Sequence, residues 1–203
     1  MTEAGVDLSR WRALVLAGGA GSRFGGPKLL APFRGGLLLD AALDAALAAP
    51  VGGVVLVTGA GAEAVGAAAN ALARRRARAD RLVLAHAPDH AEGLSASLKA
   101  GLAALPADCE GVAVFLGDMP DIPAGLVARL AGRLTAGRLA AAPVHEGRRG
   151  HPVMMRSALF PRLRTLTGDA GAGAVLAGLG EALALVETGD PGVLRDIDRP
   201  ADL

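Results

Sequence analysis

The chain has 203 residues, of which 52% are hydrophobic and 20% charged, and its formal net charge is +1. The length suits one α/β domain with a buried core, whereas the balanced charge and the 2% aromatic content argue against a nucleic-acid-binding surface. A single cysteine excludes an internal disulfide framework and a Cys-rich zinc site. The sequence also has no signal-peptide pattern and no apolar run of about 18 residues. Together these features predict a cytoplasmic protein without a membrane span.

Four apolar runs of strand length alternate with Ala/Leu-rich segments of helical length in the first part of the chain. Each run lacks polar alternation, which is typical of parallel strands that are buried on both faces. The expected strands are residues 12–17, 54–58, 81–86 and 112–117. The expected helices are residues 37–49, 62–77 and 94–105. This alternation predicts right-handed βαβ crossovers and a three-layer α/β/α, Rossmann-like sheet that is mostly parallel.

The second half of the chain is less regular than the first. A helix is expected over 123–136, with Pro123 near its first turn, and another is expected over 169–180. Further strands are expected at 138–144, 152–156 and 183–187. Because no internal repeat or linker divides the sequence, we expect a single domain over residues 1–203.

A glycine-rich loop follows the first expected strand. Residues 16–28 read LAGGAGSRFGGPK, and ligands of open α/β sheets bind at the carboxyl ends of strands. Glycines let backbone N–H groups approach an anion, and Arg23 and Lys28 add positive charge to the same loop. A proline directly before Lys28 excludes a Walker loop, and Phe24 stands where a dinucleotide fingerprint needs its third glycine. The loop therefore predicts phosphate recognition.

Four segments, in order along the chain, resemble the MobA/MocA-like nucleotidyltransferases of molybdenum cofactor maturation. These segments are LAGGAGSRFGGPK at 16–28, EGLSASLKAGL at 92–102, LGDMP at 116–120 and DIDRPADL at 196–203. The resemblance implies the fold of the nucleotide-diphospho-sugar transferases. It also implies a nucleotide-binding half at about 10–120 and, at about 121–203, a half that binds the acceptor and completes the metal site.

The activity implied by this resemblance is transfer of a nucleoside monophosphate from a nucleoside triphosphate to a phosphate-bearing acceptor, with release of pyrophosphate. The implied acceptor is molybdopterin, and a molybdoenzyme or its chaperone would receive the product. A sugar 1-phosphate is the alternative acceptor. A nucleotide-binding regulator without turnover is the alternative of another class.

Two aspartates are candidate ligands of Mg²⁺. Asp118 follows the strand at 112–117, and a carboxylate at the carboxyl end of a strand suits a hard cation; its alternative role is to cap the helix that follows. The resemblance implies that Asp198 is the second ligand. Arg23, Lys28 and Asp118 are the expected catalytic residues, since charge neutralisation and positioning dominate phosphoryl-type transfer.

The expected nucleotide-binding residues lie at three sites along the sequence: the glycine-rich loop, the end of the second strand and the start of the third helix. They are Leu16, Ala17, Gly18, Gly19, Gly21, Ser22, Arg23, Lys28, Thr58, Gly59, Gly93 and Ser97. Ser97 lies too far into its helix to cap it and could offer its hydroxyl to a base edge. The missing Cβ of Gly18 leaves space for a purine and favours GTP, whereas the segments at 92–102, 150–152 and 168–172 resemble the cytidylyl branch of the family and favour CTP. CTP is the preferred interpretation.

Two further segments resemble the acceptor side of the family, GRRGHPVMM at 147–155 and LTGDAGAG at 166–173. The candidate acceptor-binding residues in them are His151 and Asp169. Stabilisation of a turn is the alternative role of His151. Gly173 stands where the family pattern often has an arginine.

Overall fold

The structure is a computed structural model and describes residues 6–19, 21 and 24–203. Its strands are β1 (Trp11–Ala17), β2 (Pro32–Phe33), β3 (Gly36–Leu37), β4 (Val54–Thr58), β5 (Leu82–His86), β6 (Gly111–Leu116), β7 (Ala140–His145), β8 (Arg148–Arg149), β9 (Val153–Arg156) and β10 (Leu183–Glu187). Its α-helices are α1 (Leu38–Ala48), α2 (Ala62–Arg75), α3 (Leu94–Ala103), α4 (Leu126–Ala131), α5 (Phe160–Arg164) and α6 (Gly173–Ala177). No helix in the described ranges combines the length and the apolarity that a membrane span requires.

The main sheet of the described residues has the strand order β10–β7–β9–β6–β1–β4–β5, and β8 pairs with β7 at its side. The strands β6, β1, β4 and β5 run parallel, as do β7 and β10. The strand β9 is antiparallel to both β6 and β7. The expected mostly parallel α/β sheet is confirmed, and the carboxyl ends of β1, β4 and β6 lie side by side at one edge.

The central strand β1 fills a layer of core on each side of the sheet. Ala13 and Val15 join the cluster formed with α1, α2 and α4, whereas Leu14 and Leu16 join the cluster formed with α3, α5 and α6. This distribution follows from the period of two in a strand, because alternate side chains point to opposite faces. A strand without polar positions is therefore buried on both of its faces, and helices cover both faces of the sheet.

Three elements differ from the expectation. The strand β5 lies at the edge of the sheet, so Val83 and Leu84 are 51% and 40% exposed instead of buried. Helix α4 is shorter than expected because Gly125 has a left-handed φ of 73° and delays the first helical turn. Helix α6 is also shorter than expected, since residues 168–172 run past the start of α3 before the helix begins.

Candidate active site

The loops after β1, β4 and β6 meet the start of α3 at the carboxyl edge of the sheet. In the loop after β1, Gly21 has a φ of 62°, and a Cβ on it would lie 2.8 Å from the carbonyl oxygen of Gly26 and 3.1 Å from the Cβ of Lys28. Glycine is therefore required where the loop curls back. This curl brings Lys28, the first residue of a short 3₁₀ turn, towards the end of β6.

Lys28 lies between the two aspartates that the sequence singled out as metal ligands. Its Nζ donates to Asp118 Oδ2 at 2.7 Å and to Asp198 Oδ1 at 3.3 Å. The Lys28 side chain is 13% exposed, compared with 24% for Asp118 and 42% for Asp198. Burial opposes the charge on Lys28, but the hydrogen bonds and charges of the two carboxylates outweigh it and raise the pKa of Lys28. The ammonium group is thus held in its charged form.

The C-terminal segment brings Asp198 to this position. The backbone N–H of Ile197 donates to the carbonyl oxygen of Asp118 at 3.0 Å, which joins the segment directly to the loop after β6. Asp202 Oδ2 accepts from the N–H groups of Asp198 and Arg199 at 3.1 and 2.7 Å. These bonds close the segment into a compact turn that starts beside Asp118.

Asp118 and Asp198 fit a hard divalent cation. Two carboxylates that converge on one ammonium group form a negatively charged recess of oxygen atoms, and Mg²⁺ prefers oxygen ligands. Within the described residues, no cluster of three or more His, Cys, Asp or Glu side chains has the arrangement of a metal site. Mg²⁺ usually keeps several waters and binds one or two carboxylates together with substrate phosphates, so a two-carboxylate site suits it.

The residues expected around the nucleoside pack closely at the ends of β1 and β4. A Cβ on Gly18 would lie 2.5 Å from Ser97 Oγ, and Ser97 is 4% exposed. The Ser97 hydroxyl therefore occupies the space beside Gly18 that the sequence suggested for a purine. Thr58 is equally buried, and its Oγ1 donates to the carbonyl oxygen of Ala85 at 3.2 Å. This bond ties β4 to β5 under the site.

His90 reaches the same edge, although the sequence analysis gave it no role. A Cβ on Gly59 would lie 2.6 Å from the Cβ of His90, so the absence of a side chain at Gly59 lets this histidine approach. The Nδ1 of His90 is 3.1 Å from the carbonyl oxygen of Ala87. Its position three residues before Gly93, within the segment that precedes α3, is the signal that could have pointed to it.

The candidate acceptor residues lie in two different places. His151 lines a cavity of about 180 Å³ whose walls include Leu116, Val153 and Leu176. Its Nδ1 is 3.3 Å from the carbonyl oxygen of Val114, and burial lowers the pKa of His151, although this hydrogen bond and the nearby carboxylates oppose the shift. The imidazole is therefore neutral at pH 7.

Asp169 lies against the start of α3. A Cβ on Gly93 would be 2.5 Å from Asp169 Oδ1, and the carbonyl oxygen of Gly168 accepts from the N–H of Ser95 at 3.1 Å. The expected acceptor segment thus packs on the expected nucleoside segment. Ser22 and Arg23, which the sequence predicts to contact phosphate, lie outside the described residues.

Residues 13–184 match the model of the MobA-like NTP transferase domain family. The chain belongs to this family. Membership places it among the nucleotidyltransferases and confirms the family resemblance. The segments at 16–28, 92–102 and 116–120 lie within the match, and the segment at 196–203 lies beyond it. Membership also fits a site in which a glycine-rich loop and two carboxylates share one edge of the sheet.

Two relatives of the MobA-like family are similar over most of the chain. Nicotine blue oxidoreductase from Paenarthrobacter nicotinovorans is 34% identical over 201 residues, which cover 95% of this chain and 94% of the relative. Molybdenum cofactor cytidylyltransferase from Escherichia coli K12 is 29% identical over 148 residues, which cover 73% of this chain and 71% of the relative.

Solved structures have the same fold. The crystal structure of Rv0371c from Mycobacterium tuberculosis H37Rv has a TM-score of 0.79 and 26% identity, and the match covers 95% of this chain and 94% of that chain. A second structure of Rv0371c, in complex with manganese, has a TM-score of 0.69 and 24% identity and covers 88% of both chains.

Proposed function

We propose that this member of the MobA-like family is a Mg²⁺-dependent nucleotidyltransferase that transfers CMP from CTP to the phosphate of molybdopterin and releases pyrophosphate. The observation that carries the proposal is the convergence of Asp118 and Asp198 on Lys28 beside the glycine-rich loop. Nucleotide binding alone would not require two carboxylates at this point. We assign residues of about 10–120 to the nucleotide and residues of about 121–203 to the acceptor and to completion of the metal site.

The proposed reaction is an in-line displacement at the α-phosphorus. An oxygen of the acceptor phosphate forms the new bond, the bond from the α-phosphorus to the bridging oxygen breaks, and pyrophosphate takes the electron pair. The acceptor phosphate is ionised near neutral pH, so this attack needs no strong general base. Bound Mg²⁺ would supply neutralisation of the charge on the phosphate oxygens.

The chain's own contribution is positioning and positive charge. We assign the N–H groups of Gly18, Gly19 and Gly21, together with Ser22, Arg23 and Lys28, to the phosphates of the nucleotide. Asp118 and Asp198 would hold the metal. Fixed groups of this kind stabilise the developing charge without reorganisation during the reaction, which accounts for a large share of the rate in phosphoryl-type transfer.

Two observations favour CTP over GTP. The Ser97 hydroxyl fills the space beside Gly18, which leaves less room there for a purine. The relative from Escherichia coli is named a cytidylyltransferase. GTP remains the alternative nucleotide, and a sugar 1-phosphate remains the alternative acceptor in the same reaction class.

The acceptor would enter beside the mainly apolar cavity that His151 lines, with the segment around Asp169 at the boundary between acceptor and nucleoside. A flat, partly apolar acceptor such as a pterin suits such walls. We assign the reaction to the cytoplasm, as the single cysteine of the sequence predicts. A molybdoenzyme or its chaperone is the proposed recipient of the product.

The proposal is tested by pyrophosphate release from purified protein in Mg²⁺. CTP and GTP are each offered alone, with molybdopterin and with a sugar 1-phosphate, and we expect release with CTP and molybdopterin. The melting temperature with each nucleotide ranks their affinities independently of the acceptor. Stabilisation by a nucleotide without pyrophosphate release from any pair would identify a nucleotide-binding regulator and overturn the proposal.

A redox reaction is the second candidate, because the relative that matches 95% of this chain is named an oxidoreductase. Hydride transfer from a reduced nicotinamide would need the glycine-rich loop to hold a diphosphate, although Phe24 stands where a dinucleotide fingerprint has its third glycine, and it gives no role to Asp118 and Asp198. Oxidation of NADH or NADPH by nicotine blue, measured with the same protein, separates this candidate from the transferase. Nicotinamide oxidation that is unaffected by Asp118→Asn would favour the redox reaction.

A further inference from the structure

A second ion pair runs beside the two candidate metal ligands. Asp121 lies three residues after Asp118, and Arg195 lies three residues before Asp198. Arg195 Nη1 donates to Asp121 Oδ2 at 2.5 Å. Between this pair and the carboxylates at Lys28, the N–H of Ile197 donates to the carbonyl oxygen of Asp118. The two segments are therefore joined at both ends and in the middle.

Arg195 also holds the far end of the segment that carries Asp198. Its Nη2 donates to the carbonyl oxygen of Asp202 at 2.7 Å. The carboxylate of Asp202 in turn accepts from the N–H of Asp198. One guanidinium group thus contacts the loop after β6 and the residue that closes the turn around Asp198.

The position of Asp198 needs such support. It lies between the 3₁₀ turns Pro191–Leu194 and Pro200–Asp202, in a stretch without helix or strand, so its position depends on specific contacts. The Asp121 side chain is 22% exposed and that of Arg195 39%, so the pair is less exposed to solvent than an ordinary surface ion pair. Burial opposes the charge on Asp121, but Arg34 and Arg195 outweigh it and lower the pKa of this carboxyl.

We propose that Asp121 and Arg195 are a positioning pair, which fixes the C-terminal segment in the register that places Asp198 opposite Asp118. The inference rests on the metal site of the proposed function. In this proposal both residues act through Asp198, by way of the bonds of Arg195 to Asp121 and to Asp202. Partners that orient metal ligands commonly alter metal affinity by about 10–100-fold when they are removed.

Arg34 provides a matched control. Its Nη1 donates to Asp121 Oδ1 at 2.5 Å, so it pairs with the same carboxylate as Arg195. It lies between β2 and β3, where the neighbouring Phe33 packs against Ile197, and its own side chain is 62% exposed. Removing Arg34 takes away one ion pair of Asp121 and leaves the contact to the C-terminal segment.

The test is a titration of the full chain with Mn²⁺ alone, in which free Mn²⁺ is measured by electron paramagnetic resonance. We expect Arg195→Met to weaken Mn²⁺ binding by about 10-fold or more, with partial rescue in Arg195→Lys and a change of less than about twofold in Arg34→Met. In an Asp198→Asn background, Arg195→Met should add no further loss, because it acts through Asp198.

Two outcomes separate this inference from the proposed function. Binding that is weakened by Asp198→Asn but unchanged by Arg195→Met, or two losses that add fully, would overturn the positioning pair and leave the metal site intact. Binding that is unaffected by both Asp118→Asn and Asp198→Asn would overturn the metal site itself.

Amide exchange gives a readout that needs no metal. The N–H of Ile197 is bonded to Asp118, so we expect it to exchange at least about tenfold faster in Arg195→Met and at the wild-type rate in Arg34→Met. Asp121→Asn keeps the shape of the side chain and replaces Arg195→Met if that variant fails to fold. Unchanged protection of Ile197 in Asp121→Asn would contradict the proposal.

Discussion

The ammonium group of Lys28 lies 2.7 Å from Asp118 Oδ2, at the oxygen atoms that the proposed metal would need. The same group is 3.3 Å from Asp198 Oδ1. A cation that binds both carboxylates must therefore compete with Lys28 for them. Displaced from the carboxylates, the positive charge of Lys28 would be available to the phosphates of the nucleotide.

Lys28→Met should accordingly change metal binding and turnover in opposite directions. Without the ammonium group, the two carboxylates repel each other, and we expect Mn²⁺ to bind more tightly than in the wild type when nucleotide is absent. Turnover should fall by ~10²–10³-fold, because a fixed charge on the phosphates is lost. Mn²⁺ titration and pyrophosphate release measure the two effects.

Lys99→Met on α3 is the control for this experiment, since it removes the same charge from a different element. It should alter neither property by more than about twofold. Weaker Mn²⁺ binding in Lys28→Met would mean that Lys28 organises the carboxylates instead of competing with the metal.

The strands were the most predictable part of the fold. The apolar runs at 12–17 and 54–58 carry their own signal, because a strand buried on both faces must be apolar at every position. The exposed edge position of β5 could not be predicted, since its sequence is as apolar as that of β4 and strand order depends on the whole chain. The late start of α4 depends on the left-handed backbone of Gly125. The late start of α6 depends on the contacts of residues 168–172 with the start of α3.

The site was predictable in its charged members and less so in its contacts. Lys28 and Asp118 were predicted because they follow strands. Asp198 was predicted because the segment at 196–203 resembles a family motif. The contact between Gly18 and Ser97 could not be predicted, because it depends on how closely α3 approaches the end of β1. The pairing of Asp121 with Arg195 joins residues far apart in sequence, and nothing in their local surroundings indicates it.

Gly18→Ala should introduce a steric conflict that a second substitution removes. The added Cβ would lie 2.5 Å from Ser97 Oγ, so we expect a lower melting temperature and weaker binding of CTP. Ser97→Ala deletes the conflicting oxygen, and the double variant should recover most of the melting temperature. The coupling between two substituted residues in contact is about 0.5–3 kcal/mol.

Gly19→Ala is the matched control for stability, because a Cβ at Gly19 would meet nothing within 4 Å. Its melting temperature without nucleotide should equal that of the wild type. A Gly18→Ala variant that is as stable as Gly19→Ala would show that Ser97 does not restrict this position.

Asp118→Asn and Asp198→Asn should each abolish most of the turnover while the fold is kept. Replacing a carboxylate with an amide keeps the size of the side chain and removes the charge that attracts the metal. We expect pyrophosphate release to fall by ~10²–10³-fold in each variant. The double variant should be little worse than the more damaged single variant, since the two residues hold one ion.

Asp44→Asn is the control for these substitutions. Asp44 on α1 pairs with Arg76 at the end of α2, with nitrogen-to-oxygen distances of 2.7 and 2.6 Å, and the Arg76 side chain is 57% exposed. Loss of this exposed pair should leave turnover unchanged and alter stability little. Wild-type turnover in Asp118→Asn would refute the role of this aspartate.

His151 makes the folded protein sensitive to mild acid. Burial lowers its pKa below the ordinary value of 6.5, so the unfolded chain takes up a proton at a pH where the native imidazole is still neutral. Stability is therefore fully retained above about pH 7 and declines as the pH falls below 6.5, until the folded-state pKa is reached.

His151→Asn can keep the hydrogen bond to the carbonyl oxygen of Val114 without titrating, and its stability should decline less between about pH 7 and 5. Urea unfolding across this range measures the difference. If stability falls equally with pH in His151→Asn and in the wild type, the native site accepts the proton at no cost. That result would contradict the assignment of a buried, neutral imidazole.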